Sequence, residues 1–404
     1  MNFRLIRYIL ITLTGLSIQL HAQINPSIQQ LIDKTNSDSL MLTVRQISGD
    51  VPVYVNGVSQ TITSRAAGTA GRLLAQSFLM QKFQSYGLAP TLQVVSSNCS
   101  NIIVVKTGTV YPNRKWIVCA HYDAVGGSPA ADDNGTGTAA VVEAARVFAN
   151  ISTKYTVVFA LWDKEETGYT GSGDYASKAF SNHDTIAGVI NLDMFGYDKN
   201  NDAKMEIHAR NTSKNISDEL LTVNLRYSIG LIPVVINPGL TNSDHGSFWQ
   251  WEFSAVWLIE LYQGGDFNPY YHTSQDKVAS LNVNYFAKNA KLTVGTLGVL
   301  SGASSTPVTV ADIIPVIEKY ILPQNYPNPF NSSTTISYQS LTAGYVKLSI
   351  YNLLGQEIVV LVDDVKQPGT YNITWNATAL VSGTYIYRIS TANRIQTKMM
   401  LLLK

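Results

Sequence analysis

The chain has 404 residues, 45% of them hydrophobic and 14% charged, with a formal net charge of +1. That length supports one large domain and a smaller one, each with a real core. The near-neutral balance, without basic clusters or acidic tails, argues against nucleic acid or an anionic membrane as an electrostatic partner.

Residues 1–22 read as a secretory signal. Arg4 and Arg7 form a basic start, "YILITLTGLSIQL" is the apolar stretch, and "HA" precedes Gln23. The run is shorter than the roughly 20 residues a membrane span needs, so the expected product is exported, with no membrane span. From residue 23 to 303 the pattern is α/β. "NIIVVK", "KWIVCAH", "YTVVFALW" and "IAGVINL" read as strands, and "GTAAVVEAARVFAN" and "GDYASKAF" as helices between them. Continuous apolar strands alternating with helices predict a mostly parallel sheet covered on both faces. Cys99 and Cys119 allow at most one disulfide, and the sequence does not decide whether they pair. Residues 304–320 are small, polar and Pro-bearing, as a linker is. Residues 321–404 carry alternating strands without helices, separated by turn signals such as "LTAG", "QPGT" and "VSGT", which predicts a small β-sandwich.

The chemistry-bearing residues follow the strands. "KWIVCAH" ends in His121 and leads to Asp123; "YTVVFALWDK" leads to Glu165 and Glu166; "IAGVINL" leads to Asp193; "SAVWLIELY" leads to a loop bearing His272. Ligands of open α/β sheets bind outside the carboxyl ends of the strands, so these side chains are expected on one rim. Asp132 joins them from the turn that opens a helix, where Asp132, Asp133 and Asn134 also read as simple helix caps. Adjacent Glu165 and Glu166 can point to different partners, one toward a metal and one free to move protons. Asp193, just after an apolar run, is poorly solvated and needs a cation or donors. Histidine nitrogens and carboxylates without thiolate suit zinc, with cobalt or manganese possible at the same ligands. Two such cations are balanced by Asp132, Glu166, Asp193 and one bridging hydroxide.

The ordered set "AHYDAVGG", "AADDNGTG", "WDKEETGYTGS", "NLDMFGYD", "SDHGSFW" and "YHTSQD" resembles the secreted co-catalytic di-zinc aminopeptidases of metallopeptidase family twenty-eight. The resemblance covers most of residues 30 to 300 and implies the zinc exopeptidase fold with two Zn2+ ions. It implies that His121 and Asp193 hold one zinc, Glu166 and His272 the other, and that Asp132 bridges them. Asp123 would orient His121, and a cis peptide would join Asp132 to Asp133. Glu165 would be the general base acting on the water between the zincs, and Tyr262 would add a hydrogen bond to the oxyanion. The tail, in "LPQNYPNPFNSSTTISY", "VKLSIYNLLGQEIVVLVD", "GTYNITWNA" and "LVSGTYIYRI", resembles the immunoglobulin-like sorting domain of type IX secretion cargo. It implies an extracellular or surface-attached protein and the secretion machinery as a partner.

An aminopeptidase recognises a free ammonium through acidic groups, whereas a carboxypeptidase of the same fold needs a cation such as Arg210. The other readings are a glutaminyl cyclase variant with one zinc and a binding ectodomain that lost its metals; the latter should show substituted ligands, and none of the five is missing. The side chain preferred in the substrate is not legible.

Overall fold

The computed structural model describes residues 24–304, 320–340, 344–353, 355–391 and 394–404. The secretory leader and nearly all of the linker read from the sequence lie outside these residues. The chain divides into two compact units, Met1–Val308 and Thr309–Lys404. Among the described residues no helix is long and apolar enough to cross a membrane.

In the first unit, helices α1 (Pro26–Lys34) and α2 (Ser37–Ile47) precede a hairpin of β1 (Val53–Val55) and β2 (Val58–Gln60) and helix α3 (Ala70–Ser85). Then come β3 (Pro90–Ser96), β4 (Cys99–Lys106), β5 (Tyr111–His121), α4 (Gly135–Phe148), β6 (Tyr155–Trp162), α5 (Thr170–Ser181) and β7 (Thr185–Leu192). The unit ends with β8 (Lys204–His208), α6 (Lys214–Arg226), β9 (Ile232–Ile236), α7 (His245–Trp249), β10 (Ala255–Glu260) and α8 (Val283–Ser301). Eight strands form one sheet in the order β3-β4-β6-β5-β7-β10-β8-β9.

The four central strands, β6, β5, β7 and β10, run parallel. The sheet is mostly parallel, as expected, with antiparallel joins where β4 meets β6 and β8 meets β10. Strand β5 shows why the middle is buried on both faces: Trp116, Val118 and Ala120 enter one core cluster, and Ile117 and Cys119 enter another. That two-residue alternation with apolar side chains on both sides requires helices above and below. Residues of α1–α4, α6 and α8 cover the first face, and those of α5 and α7 the second. Cys99 and Cys119 are free and buried.

The second unit holds β11 (Tyr320–Ile321), β12 (Ser333–Ser340), β13 (Gly344–Tyr351), β14 (Glu357–Lys366), β15 (Gly369–Asn376), β16 (Gly383–Thr391) and β17 (Arg394–Leu402). They form a three-stranded sheet, β11-β12-β15, and a four-stranded sheet, β14-β13-β16-β17, all antiparallel. Burial in β12 alternates at every second residue, as in a sandwich strand with one solvated face.

Candidate active site

Four side chains project from the carboxyl ends of the parallel strands. His121 closes β5, Glu165 and Glu166 follow β6, Asp193 follows β7, and the loop after β10 brings His272 over them. His121 Nε2 lies 3.4 Å from Asp133 Oδ1 and 3.4 Å from Asp193 Oδ1. His272 Nε2 lies 3.1 Å from Asp133 Oδ2 and 3.0 Å from Glu166 Oε2. Two ligand sets, His121/Asp133/Asp193 and Asp133/Glu166/His272, therefore share one carboxylate, each through a different oxygen.

The shared carboxylate is Asp133, not Asp132 as the sequence led us to expect. Asp132 is fully buried on the other side of the turn. Its Oδ1 accepts from Gly196 N and Thr136 Oγ1, each at 3.0 Å, and its Oδ2 accepts from Asn268 Nδ2 at 3.0 Å. Burial and the neighbouring Asp132 push the pKa of Glu260 well up. Consecutive residues of an irregular turn face opposite ways, and the helix start sets the phase. Asn134 is the N-cap of α4, its Oδ1 accepting from Gly137 N at 2.9 Å, a contact worth about 1 kcal/mol. A β-carbon on Gly137 would stand 2.5 Å from Leu192 O, so glycine is what lets this helix end press against the end of β7. The non-proline cis peptide also sits one residue later than expected, at Asp133–Asn134.

Asp123, fully buried, accepts from the backbone N–H of Glu165 at 3.1 Å and of Glu166 at 3.3 Å. Its Oδ1 also faces His121 Nδ1 at 3.5 Å, so one carboxylate orients the imidazole and the turn after β6. Ser243 Oγ donates to Asp193 Oδ2 at 2.6 Å. Several residues flanking or within the site hold left-handed backbone without being glycine: Ala130, Lys164, Met194 and His272, with φ of 56°, 60°, 54° and 60°. Such conformations persist where the surroundings over-determine them, often at functional sites.

The residues fit a divalent cation. Glu166 Oε1 and Asp193 Oδ1 are buried without a hydrogen-bond partner, a costly state for polar atoms unless a cation organises them. The donors are imidazole nitrogens and carboxylate oxygens. Without metal, burial and Asp133 push Glu166 up to about 8, and carboxylates raise the histidines: Glu165 and Asp193 lift His121 well up against burial, and hydrogen-bonded Asp133 lifts His272. Each upward shift favours a bound proton that a metal ligand must lose. Metal uptake near pH 7 should therefore release protons, with affinity rising as pH increases. An indicator titration in weak buffer checks this, and uptake without proton release would contradict it.

A cavity of about 190 Å³ opens over these groups. His121, Asp133, Glu165, Glu166 and Asp193 line its polar side; Met194, Trp257, Ile259 and Phe267 line the other, with Tyr262 and Tyr271. Among the described residues no lysine or arginine lines it. Arg210 instead stacks over the Trp249 ring, 4.3 Å from its centroid. Tyr262 accepts from Asn242 Nδ2 at 3.3 Å and packs against Trp257 and Phe267. Tyr271, which sequence reasoning passed over, stacks on His272 with ring centroids 3.7 Å apart. Burial and the charges of Asp133, Asp193, Glu166 and Glu165 raise its phenol. Its position beside His272 in "YYHTSQD" was the available signal. His245 is structural: burial pushes it down to about 3, and Nε2 hydrogen-bonds Leu240 O at 2.7 Å.

Residues 101–297 match the profile of Peptidase family M28. That match takes in every strand end that carries the site and spans just under half of the chain. Residues 324–402 match the secretion system C-terminal sorting domain, which marks the chain as exported, released or held at the cell surface. A probable leucine aminopeptidase of Trichophyton verrucosum is 30% identical over 199 residues, 46% of this chain and 52% of that protein. The chain thus spans about half the length of the curated relatives it matches. The Legionella pneumophila LapA aminopeptidase shares the fold of the first unit at TM-score 0.59 and 22% identity, covering 69% of this chain and 75% of that one. So does Porphyromonas gingivalis glutaminyl cyclase, at TM-score 0.54 and 19% identity, covering 66% and 99%. The architecture alone therefore does not choose between the two reactions.

Proposed function

We propose that the first unit is a zinc-dependent aminopeptidase that uses two zinc ions to hydrolyse the amino-terminal bond of peptides. The observation that carries this reading is the cavity wall: carboxylates converge on one side, and no lysine or arginine among the described residues lines it to receive a substrate carboxylate. A free ammonium fits that charge, whereas the carboxypeptidase alternative would need a basic residue there. His121 and Asp193 would hold one zinc, Glu166 and His272 the other, with Asp133 between them. Bound zinc lowers the pKa of water and polarises a carbonyl.

The remaining work belongs to the protein's own groups. Glu165 takes the proton of the attacking water and delivers it to the leaving amine. Burial first, then Asp244, Asp193 and Glu166, raise its pKa well above the carboxylate range, which suits a group that must hold a proton between the two steps. Tyr271, kept protonated and packed on His272, donates to the oxygen that gains charge. Tyr262 serves the apolar wall with Trp257 and Phe267, so its expected oxyanion role passes to Tyr271. That wall selects an apolar amino-terminal side chain, since an unpaired charge there would be desolvated.

The test is hydrolysis of amino-acid anilides by the zinc-loaded protein. Leucine anilide should be cleaved about 100-fold faster than the aspartate anilide, and the amino-blocked leucine anilide not at all. Cleavage of blocked peptides from a free carboxyl end would overturn the assignment. Cyclisation of amino-terminal glutamine without hydrolysis would overturn it in favour of the cyclase reaction.

A further inference from the structure

Asp276 lies four residues beyond His272 on the loop after β10 and is fully buried. Its Oδ1 accepts from Asp132 N at 3.0 Å and its Oδ2 from Asp133 N at 3.1 Å. Its carbonyl oxygen accepts from Ala131 N at 3.2 Å, and its own N–H donates to Thr273 O at 3.2 Å, closing the turn behind His272. A reciprocal stitch runs the other way, from Asn268 Nδ2 on the same loop to Asp132 Oδ2 at 3.0 Å. Beneath the turn, the buried Arg65 guanidinium donates to the carbonyls of Pro129 and Ala130 at 3.1 and 2.8 Å.

We propose that Asp276 is a positioning residue: by gripping two consecutive N–H groups it fixes Asp133 against the His272 loop and so completes the Glu166/His272 metal position. This rests on the di-zinc reading above. The two halves of the site depend on Asp276 unequally. His121 and Asp193 stand at the ends of strands β5 and β7, which pair with each other along the sheet. His272 stands on a loop, and Asp276 is its direct tie to the shared ligand. An amide at 276 keeps the shape but offers one acceptor where two N–H groups need one each. A glutamate keeps both acceptors on a longer arm, which moves the turn.

The experiment is zinc binding by chelator competition on the full exported chain, comparing wild type with Asp276→Asn and Asp276→Glu. Wild type should hold two zinc ions. In both variants one position should keep its affinity within about twofold while the other weakens at least about tenfold. Unchanged affinity at both positions, or an equal loss at both, overturns the proposal. If the Asn variant does not fold, the Glu variant decides by the same criterion. Failure of both to fold also overturns it, because Asp276 would then serve the fold and not the metal spacing. A wild-type chain that takes up one zinc sinks the di-zinc reading instead, a distinct result.

Discussion

Glu165→Gln should lower kcat by about a thousandfold while zinc content stays at the wild-type value. The amide fills the same space but cannot take a proton from water, so the loss falls on chemistry. Zinc should stay because Glu165 Oε2 stands 4.0 Å from His121 Nε2, farther than Asp133 and Asp193, each at 3.4 Å. His121, Glu165 and Glu166 do form a third convergent set, but it lacks the shared oxygen pair and leaves out His272. Kinetics beside metal analysis of the same sample decides the matter. A variant that keeps full activity removes Glu165 from the mechanism, and one that loses zinc makes it a ligand.

The second large effect separates two neighbouring aspartates. Asp133→Asn should weaken both zinc positions together and lower hydrolysis by more than about a thousandfold, because one side chain serves both halves. Asp132→Asn should keep two zinc ions and instead cost about 1–3 kcal/mol of stability, since Asp132 accepts from Gly196, Thr136 and Asn268. His272→Ala provides the intermediate case, with one zinc lost and one kept. Metal stoichiometry and thermal unfolding of the three variants test this set. Loss of both ions in Asp132→Asn with retention in Asp133→Asn would return the shared role to Asp132.

That pair also shows where the sequence stops being readable. The strands ending at His121, Trp162 and Leu192 are apolar runs with helices between them, and that alternation, which implies parallel neighbours, is what places His121, Glu165, Glu166 and Asp193 on one rim. "ADDNGTG" offers two carboxylates and an amide in a row, and all three suit a helix start. Which one caps the helix depends on packing of the first turn against Leu192, a tertiary contact with no local signature. Asn134 takes the cap, and the phase of the turn then sends Asp133 to the cavity and Asp132 to the interior. The antiparallel strands at the sheet margins escaped for a related reason, since the direction in which a strand pairs is not written in its hydrophobic pattern. Asp276 is plain in "YHTSQD", yet its work is done through backbone N–H groups far away in sequence, which no motif announces.

The carboxylate at 133 is also a ruler. Its two oxygens are spaced by covalent geometry, one turned to each half of the pocket, so if two cations are held there, a single rigid plane would set the interval between them. Behind it, Asp276 already holds the Asp133 backbone, so neither half of the pocket waits on the other for that orientation. The metal–metal separation should accordingly be the same in the zinc-loaded and the cobalt-loaded protein, which absorption-edge spectroscopy of the two forms would read.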